Sequence, residues 1–229
     1  LSFGVGQGRI AGDIWLTPRA DEALQARADI HFEQVEISRF FRASGSFQGN
    51  GALNGTVRVD GTGRSIAEIF AGADGTASLW MLGGDLSSLL GDLAGLRLGS
   101  ALLSALKGSP TTHVECFVAD LALRRGVLST RTLLLETADA VTQGTGTVDL
   151  GQERVEVRLR TQSKHLTIGV LPAPLLISGT LKDPRAAPDP AAPAGRGGLS
   201  GALAALPTVQ LGIGDAPHCQ SLLSKVRKN

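Results

Sequence analysis

The chain has 229 residues, 42% of them apolar and 19% charged, with 30 glycines, 4% aromatics and a net charge of +1. That is enough chain for one large or two modest domains around a real core. The even scatter of charge and the lack of tyrosine argue against a nucleic-acid binder, and no apolar run reaches the ~18 residues of a membrane helix. Glycine at this density belongs at turns and bulges, and many turns imply many short strands.

Taken in order, Arg9–Leu16 reads as a strand ending at the turn Thr17-Pro18-Arg19-Ala20-Asp21. Leu24, Ala26, Ala28, Ile30 and Phe32 then alternate with polar residues, the period of two expected of a strand buried on one face. Val35–Phe41 is a short apolar bend or helical turn, and Gly51–Val59 resumes the strand pattern. Ser65 with Glu68 three positions on is a capping-box start for a short helix ending near Ala71-Gly72. Thr76–Leu82 is again a strand.

Asp85 reads as the cap of a second helical stretch, in which Leu86, Leu89, Leu90, Leu93, Leu96, Leu102, Leu103 and Leu106 recur at helical spacing. Gly91, Gly95 and Gly99 interrupt it, and Gly108-Ser109-Pro110 stops it. Its plain role is to cover the core; a gate or membrane-surface helix is the alternative, disfavoured because Arg97 and Lys107 are its only cations. From His113 to Gln162 comes a β-meander: Val114, Cys116 and Val118 alternate, and further strands run over Val127–Glu136, Val141–Leu150 and Val155–Arg160. Pro174–Leu181 is a last strand, Asp183–Gly198 an irregular Pro/Ala/Gly-rich linker, and Leu199–Leu206 and Cys219–Arg227 are short helices.

The expected fold is therefore mainly β with a few α-helices: an antiparallel, strongly twisted or curved sheet forming a groove or a sandwich. Residues 1–185 form the β-rich domain with a helical insertion near 65–108, residues 186–198 a linker and 199–229 a helical tail. Helix is too scarce to cover all the apolar strand faces. Either two sheets close on each other, or a curved sheet leaves an apolar trough suited to acyl chains; composition does not choose.

Chemical motifs are missing. There is no Gly-x-Ser-x-Gly elbow, no phosphate loop and no His-Glu-x-x-His pair. The clusters Gly4–Gly8 and Gly144–Gly146 read as turns and bulges, and Asp120, Asp139 and Asp149 do not pair by spacing as acid and base. His113-x-x-Cys116 with His218-Cys219 is the one ligand-like set, but its spacing is a poor bite for zinc, so no metal and no cofactor are expected. Cys116 and Cys219 either pair, closing a loop of about 100 residues worth at most ~4–5 kcal/mol, or remain two buried thiols.

Gly61-Thr62-Gly63-Arg64-Ser65, the short helix, and Ala71–Ala77 resemble the C-terminal region of AsmA-family proteins. Gly84–Leu90, Arg125-Gly126-Val127, Leu135-Glu136-Thr137, Gly144–Leu150 and Ile177–Pro184 follow in matching order, so the resemblance covers most of residues 1–185 and the terminal Cys219 helix. The Ala/Pro stretch Ala186–Pro193 departs from it. The resemblance implies a non-catalytic protein, anchored in the inner membrane by a segment this chain lacks and facing the periplasm of a Gram-negative bacterium. It implies a part in outer-membrane biogenesis through phospholipid or another envelope lipid; the apolar strand faces supply Ile30, Phe32, Val114, Val118, Leu133 and Leu135 as lipid-facing candidates. Its rival is a scaffold for outer-membrane assembly proteins. A periplasmic setting favours a Cys116–Cys219 disulfide.

Overall fold

The computed structural model describes residues 2–5, 7–20, 22–36, 50–85, 113–165, 167–169, 174–191, 208–210, 213 and 218–226. Eleven strands form one antiparallel sheet in nearly unbroken chain order: β1 (Ser2–Val5), β2 (Gly8–Pro18), β3 (Leu24–Glu36), β4 (Ala52–Gly63), β5 (Asp74–Leu82), β6 (Val114–Arg124), β7 (Val127–Thr137), β8 (Ala140–Asp149), β9 (Arg154–Ser163), β11 (Leu175–Thr180) and β12 (Pro184–Pro188). A separate pair, β10 (Thr167–Gly169) and β13 (Thr208–Gln210), stands outside it. Two helices complete the described chain, α1 (Ile66–Ala71) and α2 (His218–Val226).

The strands form where side chains alternate, because only a period of two keeps one set of side chains on one face. Hairpin chemistry sets the register. Arg125 and Gly126 both have positive φ (45° and 75°), the two-residue turn whose twist matches the strands it joins. Ser65 caps α1 by accepting the Glu68 N–H at 3.2 Å, and the Glu68 carboxylate accepts the Arg64 N–H at 2.8 Å.

Register then sorts the two faces. Ile10, Phe32, Gly55, Leu79, Ala119 and Leu133 are successive partners straight across six strands, an almost wholly apolar row. Three residues along β2, Asp13, Asp29, Arg58, Thr76, Ala122, Ser129, Thr147, Glu156, Ser178 and Arg185 pair in sequence across ten strands, nearly all polar. The sheet therefore has an apolar face and a polar one.

The sheet curls toward its apolar face. Gly61 and Gly63, on that face by their pairing with Ala26 and Leu24, leave no room for a Cβ under Ile69 and Glu68 of α1. Gly151, in the turn after β8, meets Ala71 of the same helix. In a flat sheet β4 and β8 would be about 19 Å apart at ~4.8 Å per strand. Ile69 and Ala71 are separated by only ~3 Å of helical rise, so the strands must bend round α1. The result is an open, curved sheet and not a closed barrel.

Several expectations change. Pro184–Pro188, at the head of the expected linker, is the twelfth strand, paired antiparallel with β11 at the edge of the sheet. Thr208–Gln210, within the expected helical tail, is a strand. The turn-and-bulge reading of the glycine clusters holds for Gly4–Gly8, where Val5 pairs with Gly8 across the β1–β2 turn, whereas Gly144–Gly146 lies within β8, with Gly146 facing the β7 irregularity and donating its N–H to Thr130. Asp85 bridges Asn50 and His113. The leucine-rich stretch 86–106, the end of the bend at 37–41 and the candidate helix 199–206 lie outside the described residues.

Candidate functional site

The apolar face is unevenly covered. In its middle, Met81, Ala119 and Leu123 are 4%, 3% and 5% exposed, whereas toward β1 and β2 Phe3, Ile14 and Leu16 are 60%, 52% and 62% exposed. Leu24 on β3 is open as well, and Ile30 and Phe32 are half-buried. The accessible greasy surface thus lies at the β1–β3 side and dives beneath the curl toward the centre.

Of the six lipid-facing candidates, Ile30, Phe32, Leu133 and Leu135 share this face, and the last two are half-buried. Val118 does not. It pairs with Leu134, so it points to the opposite face, where it has no exposed surface. Val114 is likewise fully buried, beside the irregularity at Glu115. Both are core positions, a correction that follows from register: Val118 opposes Leu134 rather than Leu133 or Leu135. Phe3, Ile14, Leu16 and Leu24 were not singled out beforehand, although the even-numbered positions Ile10, Ile14 and Leu16 carried the signal in the chain.

What covers Val118 is α2. Cys219, Leu223 and Val226 pack with Cys116, Val118, Leu134 and Val141, flanked by Trp80, Ile213 and Leu222. A Cys116–Cys219 disulfide, spanning 103 residues with a Cα–Cα distance of 6.1 Å, fastens the helix to β6. Beside it lies an ionic cluster in which Lys164 and Glu136 are buried and Glu115 is exposed. The Lys164 ammonium lies 2.9 Å from Glu136 and 2.6 Å from Glu115, and the second Glu136 oxygen accepts the Cys219 N–H at 3.1 Å. A carboxylate at a helix N-terminus satisfies an orphan donor and meets the positive end of the helix dipole. Burial works against the Lys164 charge, but hydrogen bonds and charge from Glu115 and Glu136 outweigh it and hold its pKa above the ordinary 10.5.

The rest of the polar face is a lattice of mutual partners. Arg27 meets Asp60 at 2.6 Å and Arg58 meets Asp29 at 3.1 Å. Hydrogen bonds from Gln25 and then Arg27 hold the Asp60 pKa below its ordinary value. Shallow depressions occur here, one of about 350 Å³ over Thr147, Arg154 and Glu156 and another of about 260 Å³ beside Trp15, Arg27 and Asp60. His113 pairs with Asp85 at 3.2 Å.

The AsmA family profile matches residues 1–133. The chain belongs to the AsmA family. Over 237 aligned positions it is 29% identical to "AsmA family protein YhjG" of Escherichia coli (strain K12), an alignment covering all of this chain and 34% of that protein. The chain thus spans about a third of the length of this AsmA relative. No solved structure matches. The match to the AsmA profile ends inside β7, yet the sheet continues unbroken through β12, so the structural unit is larger than the matched segment. No helix among the described residues is long and apolar enough to cross a membrane.

Proposed function

We propose that this AsmA-family chain is a non-catalytic envelope module that holds the acyl chains of phospholipid, or of another envelope lipid, along the apolar face of its curved sheet. The observation that carries this reading is the row Ile10, Phe32, Leu79, Ala119 and Leu133 running across the strands toward an edge where Phe3, Ile14 and Leu16 stand in solvent. A continuous apolar surface of this kind marks a binding surface for greasy partners. In the full-length protein the module works on the periplasmic side of an inner-membrane anchor, where the disulfide is stable.

The sealed centre around Met81, Ala119 and Leu123 favours a second reading, a scaffold whose sheet supports outer-membrane assembly proteins. Native mass spectrometry with lipid extraction, together with uptake of a fluorescent phospholipid, separates the two. Co-purifying phospholipid, and uptake lost in Phe32→Glu, is the expected result. A chain that carries no lipid and takes up none sinks the lipid reading and leaves the scaffold.

A further inference from the structure

Trp15 is out of place by its chemistry. Pairing puts it on the polar face, opposite Arg27, which in turn lies opposite Asp60 on β4. The other side chains that share this face over residues 9–17, 25–33 and 56–62 are polar, charged or alanine. Yet the indole is 50% exposed, and no hydrogen bond to its N–H is found among the described residues. A tryptophan left half in water contributes little of the burial that makes it valuable in a core. Trp80, the other tryptophan, is half-buried beside the cluster under α2.

Two hollows meet at this side chain. One, of about 290 Å³, is lined by Trp15, Thr17, Gln25 and Arg27; the other, of about 260 Å³, runs from Trp15 and Arg27 past Asp29 and Arg58 to Asp60 and Asp74. Their polar walls are held in place. Arg19 donates to the Gln25 oxygen at 2.8 Å, the Gln25 amide donates to one Asp60 oxygen at 3.0 Å, and the Arg27 Nε donates to the other at 2.7 Å. Such mutual bonds fix orientation and leave capacity to spare, because a carboxylate and a guanidinium each serve more bonds than these. The charges nearly cancel. Arg27 is paired with Asp60 and Arg58 with Asp29, while Asp74 accepts the Arg125 N–H and Arg19 supplies a third cation.

We propose that the paired hollows around Trp15 bind a neutral saccharide, with one sugar ring stacked on the indole and its hydroxyls bonded to Gln25, Arg27 and Asp60. A pyranose carries C–H groups on its faces and hydroxyls round its edge. The weakly positive C–H face suits the electron-rich face of an indole. The hydroxyls both donate and accept, as an amide, a guanidinium and a carboxylate side by side require. Cancelling charge decides against an ionic ligand: a phosphate would meet Asp60 and Asp29, and an ammonium would meet Arg27 and Arg58. An acyl chain would dehydrate these polar groups without bonding them. Together the hollows are of small-molecule size. Saccharide binding here does not depend on lipid holding, since Trp15 lies on the face opposite Ile14, Leu16 and Phe32.

The test begins with tryptophan fluorescence in Trp80→Phe, where Trp15 is the one indole left. Chitotriose and maltotriose are titrated as neutral probes and glycerophosphoethanolamine as an ionic one. The expected result is a saturable change with at least one oligosaccharide at roughly millimolar concentration, and none with the ionic probe. Saturation-transfer NMR on the otherwise native chain should show that oligosaccharide bound about tenfold more weakly in Trp15→Ala and in Gln25→Ala. Phe32→Glu, on the other face, binds it as wild type does, even where phospholipid uptake is lost. Wild-type chain that binds neither oligosaccharide, an equal response to glycerophosphoethanolamine, or unchanged binding in both Trp15→Ala and Gln25→Ala overturns the proposal. Trp15 is half exposed and makes no hydrogen bond through its indole among the described residues, so its truncation leaves the sheet intact and the test stands.

Discussion

The Glu136 carboxylate accepts the backbone N–H of Cys219 at 3.1 Å across 83 residues of sequence, and both residues are 3% exposed. One buried anion thereby tethers the terminal helix of this AsmA-family chain and neutralises Lys164. Truncation to Glu136→Ala leaves Lys164 in a buried site with Glu115 alone and returns an orphan donor to the helix start. The expected loss is about 3 kcal/mol, as for removing one partner of a buried pair, measured by urea unfolding. Glu136→Gln, which retains an acceptor, loses less. Equal stability in all three proteins would show that the cluster contributes nothing.

Among the described contacts, the disulfide, the apolar cluster and Glu136 hold α2. Cys116→Ser/Cys219→Ser lowers stability by about 4 kcal/mol if the loop-entropy account of a cross-link spanning 103 residues applies. Hydrogen exchange resolves where the loss falls: faster exchange is expected in Cys219–Val226 before it appears in β3 and β4.

Alkali acts through Lys164. Its folded-state pKa is raised, so its contribution is complete below the unfolded value of about 10.4 and disappears as pH climbs through the higher folded value. The melting temperature of wild type therefore approaches that of Lys164→Met as pH rises from about 10.4 through the higher folded value. Asp60 has the opposite sign. Its pKa is lowered, so its contribution is complete above the unfolded value and fades as pH falls through the folded one. The Asp60→Asn difference should vanish in acid, and a difference that grows there would refute the assignment.

Glycine at the β6–β7 turn has a conformational reason that most of the described glycines do not share. Gly126 has φ of 75° and its Cβ position is occupied by the Ala71 backbone, so Gly126→Ala costs about 1–3 kcal/mol. Gly4, with open space around it, tolerates alanine within about 0.5 kcal/mol. Thermal unfolding of the two variants side by side checks the contrast.

Much of the sheet was legible because alternation is local. Leu24 to Phe32, Val127 to Glu136 and Val155 to Arg160 each show which side chains share a face, and Ser65 with Glu68 marks the start of α1. Pro184–Pro188 was not legible. A proline-bearing strand is tolerated at a sheet edge, where its missing N–H faces no partner, and composition alone reads it as linker. The Glu136–Lys164 pair left only a faint trace, an acid ending the run Leu133-Leu134-Leu135 at an inward position.

Within each strand of this chain, then, the order of residues settled the division into greasy and polar sides, since a pleated backbone turns successive side chains opposite ways. Which greasy side meets which was decided only by pairing between strands. One step of register moves Val118 from the company of Leu133 to that of Leu134, and with it from an open trough to a core closed by α2. The curl over α1 and the exposed edge at Phe3, Ile14 and Leu16 arise from contacts between residues far apart in the chain, which no local period records.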